Sequence, residues 1–169
     1  RSASIRNPAK KVKKRTSLTE EQWQDVVNNL YKLSNENDRR FMAILSYTSL
    51  RPGEVYGLRW EDIDRKNKLI HVRRAVSHAT NQAIIKDPKT EAGIRTVPLF
   101  GALEALLEPF QDIGHIITRQ AGEPYTQQAH KRAWERIKRT INVYGMTPYN
   151  WRHTFATAMI GEGIDPDTV

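Results

Sequence analysis

The sequence predicts a mainly α-helical chain with one small three-stranded antiparallel β-sheet, an α+β arrangement. Apolar residues recur at helical spacing on both sides of a central stretch. Between Ile63 and Leu99 the pattern changes to Ile- and Val-rich runs divided by turn-like segments. There are no internal repeats, and the length of 169 residues suits one domain rather than two.

Residues 1–16 read as a basic linker. They hold Pro8 and the cluster Lys10, Lys11, Lys13, Lys14 and Arg15, with no periodic apolar positions. Such a segment cannot offset its ordering entropy by burial, and phosphate is the partner its charge suits. The globular part, 17–169, opens with Thr19 and Gln22, spaced for a capping box. Trp23, Val26, Val27 and Leu30 then share one helical face. A polar break at Ser34–Asn37 precedes a second helix with Phe41, Ile44, Leu45 and Thr48 inward. Pro52 disfavours helix in Arg51, so that helix stops earlier, and Pro52 suits the first turn of a short helix through Leu58.

The strands are expected at Lys68–Val76, Gln82–Lys86 and Gly93–Leu99, with Ser77–Asn81 and Asp87–Ala92 as turns and Pro98 near an edge. Helical patterning returns at Gly101–Phe110 and at Thr126–Val143. In the second of these, Ala129, Ala133 and Ile137 mark one face beside Trp134. A last helix is expected from Pro148 to Glu162, with Thr147 as N-cap and Gly163 at C′.

Composition narrows the function classes. There is no cysteine, which excludes disulfides, cysteine zinc sites and thiol catalysis. Lysine and arginine number 27 against 19 acidic residues, a formal charge of +8, and no apolar run approaches the roughly 20 residues of a membrane span. The first residue is Arg1 and no apolar signal segment follows it, so no secretory leader is expected. The charge points to a polyanion, nucleic acid before membrane. A membrane-surface role needs a basic helix with exposed bulky apolar residues, and none is evident.

Three segments could carry chemistry. Arg51, in TSLRPGEVYGLRWEDID, sits between a helix end and a helix start, so its fork of donors can project from a fixed turn toward phosphate oxygens. Glu54, three residues on, can orient it or neutralise it. Arg152, in TPYNWRHTFATAMI, lies three residues after Tyr149, so phenol and guanidinium are neighbours on a helix and can engage one phosphate. Lys89, in KDPKTEAGIRTVPL, lies at a turn where an ammonium can deliver a proton; by spacing alone, Lys86 and Arg95 could do likewise. Between 118 and 139, Arg119, His130, Lys131, Arg132, Arg136, Lys138 and Arg139 form a basic set suited in part to phosphates or a groove.

Together these segments resemble the catalytic domain of the tyrosine recombinases, the phage integrase family. TSLRPGEVYGLRWEDID is similar to the family's first arginine box, KTEAGIRTVPL to the hairpin bearing its catalytic lysine, and PYNWRHTFAT to its second arginine box. NPAKKVKKRTSLTEEQW is similar to the interdomain linker and first catalytic-domain helix. The resemblance runs from about Asn7 to Val169. It implies catalytic roles for Arg51, Lys89, Tyr149 and Arg152, support from Glu54, and DNA contacts from Lys10, Lys11, Lys13, Lys14, Arg15, Arg95, Arg119, Lys131 and Arg132. It implies no metal and no cofactor.

There are two departures. The second box normally opens with histidine where this chain has Tyr149, a group that can donate to a phosphate oxygen but is a poor base near neutral pH. His153 lies roughly 100° further round the helix and does not substitute. The family also places a histidine or tryptophan and then the nucleophilic tyrosine after the second box. The seventeen residues after Arg152 contain neither tryptophan nor tyrosine, and their one histidine is the adjacent His153. The expectation is therefore a C-terminally incomplete catalytic domain.

The resemblance implies site-specific recombination and integration by tyrosine-mediated cleavage and rejoining of double-stranded DNA. The parent is expected to be a cytoplasmic enzyme of bacterial or phage origin, multimeric on DNA. The fragment itself is expected to be monomeric, inactive in covalent cleavage, and not bound to membrane. The alternative is a non-catalytic DNA-binding module on the same fold, suggested by Tyr149 and the missing nucleophile.

Overall fold

The computed structural model describes residues 18–78, 81–87 and 94–161. The basic arm and Lys89 lie outside the described residues, as does Gly163.

The first helix, α1 (Glu20–Asn28), starts where the sequence places it. Thr19 Oγ1 accepts from the Gln22 amide at 3.2 Å, and Gln22 Oε1 accepts from the Thr19 amide at 3.0 Å. A single 3₁₀ turn at Leu30–Lys32 leads to α2 (Glu36–Tyr47), whose N-cap Asn35 accepts from the Asp38 amide. The polar break is thus shorter than expected, because Glu36 and Asn37 form the helix's first turn. From Phe41 to Ser46 every residue of α2 is buried, and α1 packs against it together with the helices at Pro52–Gly57, Gly101–Leu107, Gln127–Ile141 and Pro148–Gly161. A helix enclosed in this way organises the core rather than presenting one face to it.

Pro52 opens α3 (Pro52–Gly57), as its missing N–H allows. Helix α4 spans Gly101–Leu107 and α5 spans Gln127–Ile141, the latter capped by Thr126 and ended by Asn142 in left-handed geometry at φ 55°. Helix α6 spans Pro148–Gly161, and Thr147 Oγ1 accepts from the Asn150 amide at 3.2 Å. Among the described residues, no helix is long and apolar enough to cross a membrane.

The three-stranded antiparallel sheet is present, but its strands differ from those expected. It runs β1 (Ile63–Asp64), β2 (Leu69–Val72), β5 (Arg95–Pro98), with Ile70 opposite Val97 and Val72 opposite Arg95; Pro98 sits on an edge strand. The expected strand Lys68–Val76 breaks at Arg73 and Arg74. Both arginines turn toward the fully buried Asp62, and Val76 and its neighbours form β3 (Ala75–Ser77), which, among the described residues, pairs with β4 (Ile84–Lys86) alone. This second ladder leans on α3, where Gly57 and Gly53 let the helix approach the β3 backbone. A Cβ at Gly57 would stand 2.6 Å from the Arg74 carbonyl oxygen, and one at Gly53 would stand 2.6 Å from that of Val76.

Candidate active site

The site is built on the loop between α2 and α3. Thr48 Oγ1 donates to the Ile44 carbonyl at 2.7 Å and accepts from the Leu50 amide at 3.3 Å, so one hydroxyl closes α2 and sets the exit of the chain. Arg51 is the N-cap residue of α3. Its side chain cannot accept a bond, so the cap comes from Glu54, whose Oε2 accepts from the Arg51 amide at 2.7 Å. The Arg51 side chain is 57% exposed, and its Nη1 reaches Glu54 Oε1 at 3.3 Å.

Arg95, at the start of β5, binds the same carboxylate end-on, with Nη1 3.0 Å from Oε1 and Nη2 2.9 Å from Oε2. Burial raises the Glu54 carboxyl, but the Arg95 hydrogen bonds, the Arg51 amide and the two guanidinium charges outweigh it. The net result is a carboxyl held below its ordinary range. Glu54 is therefore ionised at neutral pH and shared by two arginines.

Arg152 arrives from the other end of the chain. Helix α6 docks through Trp151, whose fully buried indole donates to Ser46 Oγ at 3.0 Å. That seating brings Arg152 Nε to the Ser49 carbonyl at 2.5 Å, two residues before Arg51. The two arginine motifs, remote in sequence, thus meet at one loop. Tyr149, one turn before Arg152, is 61% exposed. Around this loop stand three guanidiniums and one carboxylate, an excess of positive charge suited to the oxygens of a phosphodiester.

The basic set on 118–139 divides. Lys131 and Arg132 are exposed on α5, while Arg119 is paired with Glu123. Arg136 does not fit a free phosphate-binding role: its Nε and Nη2 each stand 2.9 Å from an oxygen of buried Asp38. His130 is also structural. Its Nδ1 meets the Tyr56 hydroxyl at 2.8 Å and its ring stacks on His78. Burial first, then the nearby His78 and Lys131 charges, push His130 down to about 4. Arg95, expected at DNA, instead pairs with Glu54 across 41 residues of sequence. The one local hint was the position of Arg95 within an alternating strand that ends at Pro98.

A family model described as "Phage integrase family" matches residues 16–169. The prophage integrase IntR of Escherichia coli K12 is 29% identical, the match covering 82% of this chain and 40% of that protein. The tyrosine recombinase XerC of Staphylococcus carnosus is 30% identical, over 78% of this chain and 43% of its own. The chain spans about two-fifths of the length of these relatives. Among solved structures, the Tn1549 transposon integrase in complex with circular intermediate DNA superposes with a TM-score of 0.72 at 23% identity, covering 90% of this chain and 56% of that one. The XerH site-specific recombinase bound to difH substrate gives 0.64 at 21% identity, over 87% and 43%. These likenesses establish the fold.

Proposed function

The chain belongs to the phage integrase family, and on that footing we propose that it is the phosphate-activating part of a site-specific DNA recombinase. The observation that carries the proposal is the bond from Arg152 Nε to the Ser49 carbonyl, which seats the second arginine motif against the first. Arg51 and Arg152 clamp the non-bridging oxygens of the scissile phosphate, where charge accumulates in the transition state. Tyr149, exposed one helical turn from Arg152, donates its hydroxyl to one of those oxygens.

Attack by a tyrosine hydroxyl, whose proton passes to solvent, forms the Oη–P bond and breaks the bond from phosphorus to the 5′ oxygen. Lys89 supplies the proton that the departing 5′ oxygen takes up. The 3′-phosphotyrosyl link keeps the energy of the phosphodiester, so the strand from a partner site rejoins without a nucleotide cofactor. Lys131 and Arg132, together with Arg119 and the basic arm, hold the duplex by its phosphates. The reaction belongs to a cytoplasmic, DNA-assembled multimer, whereas these 169 residues alone are monomeric.

The attacking tyrosine is not among the residues that follow Arg152. The test therefore uses a protein in which a tyrosine-bearing segment follows Val169. It is expected to form a covalent adduct with a nicked cognate duplex, and Arg51→Ala or Arg152→Ala is expected to abolish the adduct. An adduct formed equally well without those arginines overturns the assignment. Salt-dependent binding with no adduct in the extended protein points instead to a non-catalytic DNA-binding module.

A further inference from the structure

We infer that Arg95 is a positioning residue: by occupying both oxygens of Glu54 it leaves the guanidinium of Arg51 available to phosphate. The inference rests on the functional reading above and concerns how that site keeps its charge.

A carboxylate offers two oxygens, and one guanidinium can satisfy both. At Glu54 that guanidinium belongs to Arg95, at 3.0 and 2.9 Å, while the Arg51 side chain makes one longer contact of 3.3 Å to an oxygen already taken. Burial follows the same order. The side chains of Glu54, Arg95 and Arg51 are 11%, 30% and 57% exposed. The inner pair neutralises itself, and the outer arginine carries the net charge into solvent.

Remove Arg95 and the geometry has one remedy. Glu54 becomes a largely buried carboxylate with a single cation in reach, and a buried charge without its partner is costly. Arg51, three residues away on the same helical turn, is the group that can fold down on it. The charge needed at the phosphate is then spent inside the protein. Arg95 is held against this by the ladder, where it stands opposite Val72 as the first residue of β5. The competing role is a direct contact between Arg95 and DNA.

The two roles separate in the salt dependence of binding to a 30-base-pair fluorescein-labelled duplex of arbitrary sequence, measured by anisotropy on the intact chain. Each phosphate neutralised contributes about 0.9 to the slope of log K against log salt. Arg51→Gln should reduce the slope by about 0.9. Arg95→Gln should do the same, and the two together should reduce it no further. Glu54→Gln/Arg95→Gln, which removes the buried carboxylate with its partner and so avoids a stranded charge, should return the slope to that of the unsubstituted chain.

A reduction of about 0.9 in Glu54→Gln/Arg95→Gln places Arg95 itself on phosphate and overturns the inference. So does an unchanged slope in Arg95→Gln. If Arg51→Gln leaves the slope unchanged, the functional reading of the site fails first and the inference falls with it.

Discussion

Replacing Arg136 by alanine tests whether this arginine belongs to the fold rather than to a DNA surface. Asp38 is 3% exposed, and both its oxygens are held by Arg136 at 2.9 Å. Truncation strands that carboxylate, for which about 3–5 kcal/mol is typical. The Arg136 side chain is 42% exposed, so water can partly replace it, and the low end of that range, about 3 kcal/mol, applies. For a chain of this size the melting temperature should fall by about 6–12 °C at pH 7.

The pH dependence follows from Asp38. Burial raises its carboxyl above the ordinary 3.8, and the Arg136 hydrogen bonds and charge only partly offset this. A group raised on folding contributes most below its unfolded value, and that contribution is lost as pH rises through the folded value. Without Arg136 the folded value climbs further. The deficit of Arg136→Ala should therefore shrink as pH falls from 7 toward about 4. Thermal unfolding followed by circular dichroism at several pH values measures it, with Asp38→Asn/Arg136→Ala as the variant expected to recover stability at pH 7. A loss below about 1 kcal/mol, typical of surface pairs, or a deficit that widens on acidification, refutes the argument.

Two further outcomes follow. Gly57→Ala places a Cβ 2.6 and 2.9 Å from the carbonyl of Arg74, backbone that cannot swing aside; it should cost about 3 kcal/mol by overpacking, and a melting point within about 2 °C of the unsubstituted chain counts against it. His130 is pushed down to about 4, so its NMR resonances should not titrate between pH 8 and about 5.5. The unfolded chain takes up that proton near 6.5, so stability should decline as pH falls from 6.5 toward 4, by roughly 3 kcal/mol in all. A midpoint above pH 6 for His130 removes the basis for this.

What could be read in advance was local. The Thr19–Gln22 box, the cap at Thr147 and the break before Pro52 each depend on residues within one turn, and each stands in the structure. The division of the sheet was hidden because Ile, Val and Ala run on through Val76. What ends β2 is Asp62, ten residues upstream of Val72, drawing in Arg73 and Arg74. The glycines of PGEVYG are the signal that this helix would lie close to a strand, and Gly57 and Gly53 do. At the site, Arg51 and Glu54 were legible as neighbours, but Arg95 reaches Glu54 from 41 residues away. Arg136 shows the same limit. The sequence groups it with the basic residues of 118–139, and its partner Asp38 lies 98 residues earlier.

The seating of α6 has a consequence for the order of events in the cell. The bond from Trp151 to Ser46 spans 105 residues, that from Arg152 to Ser49 spans 103, and the Leu18 amide meets Thr154 across 136. None of these can form while α6 is still inside the ribosome. A nascent chain therefore carries Arg51 on its loop long before Arg152 exists to join it. The two arginine motifs come together only once α6 has emerged, after the core elements that precede it have had time to form.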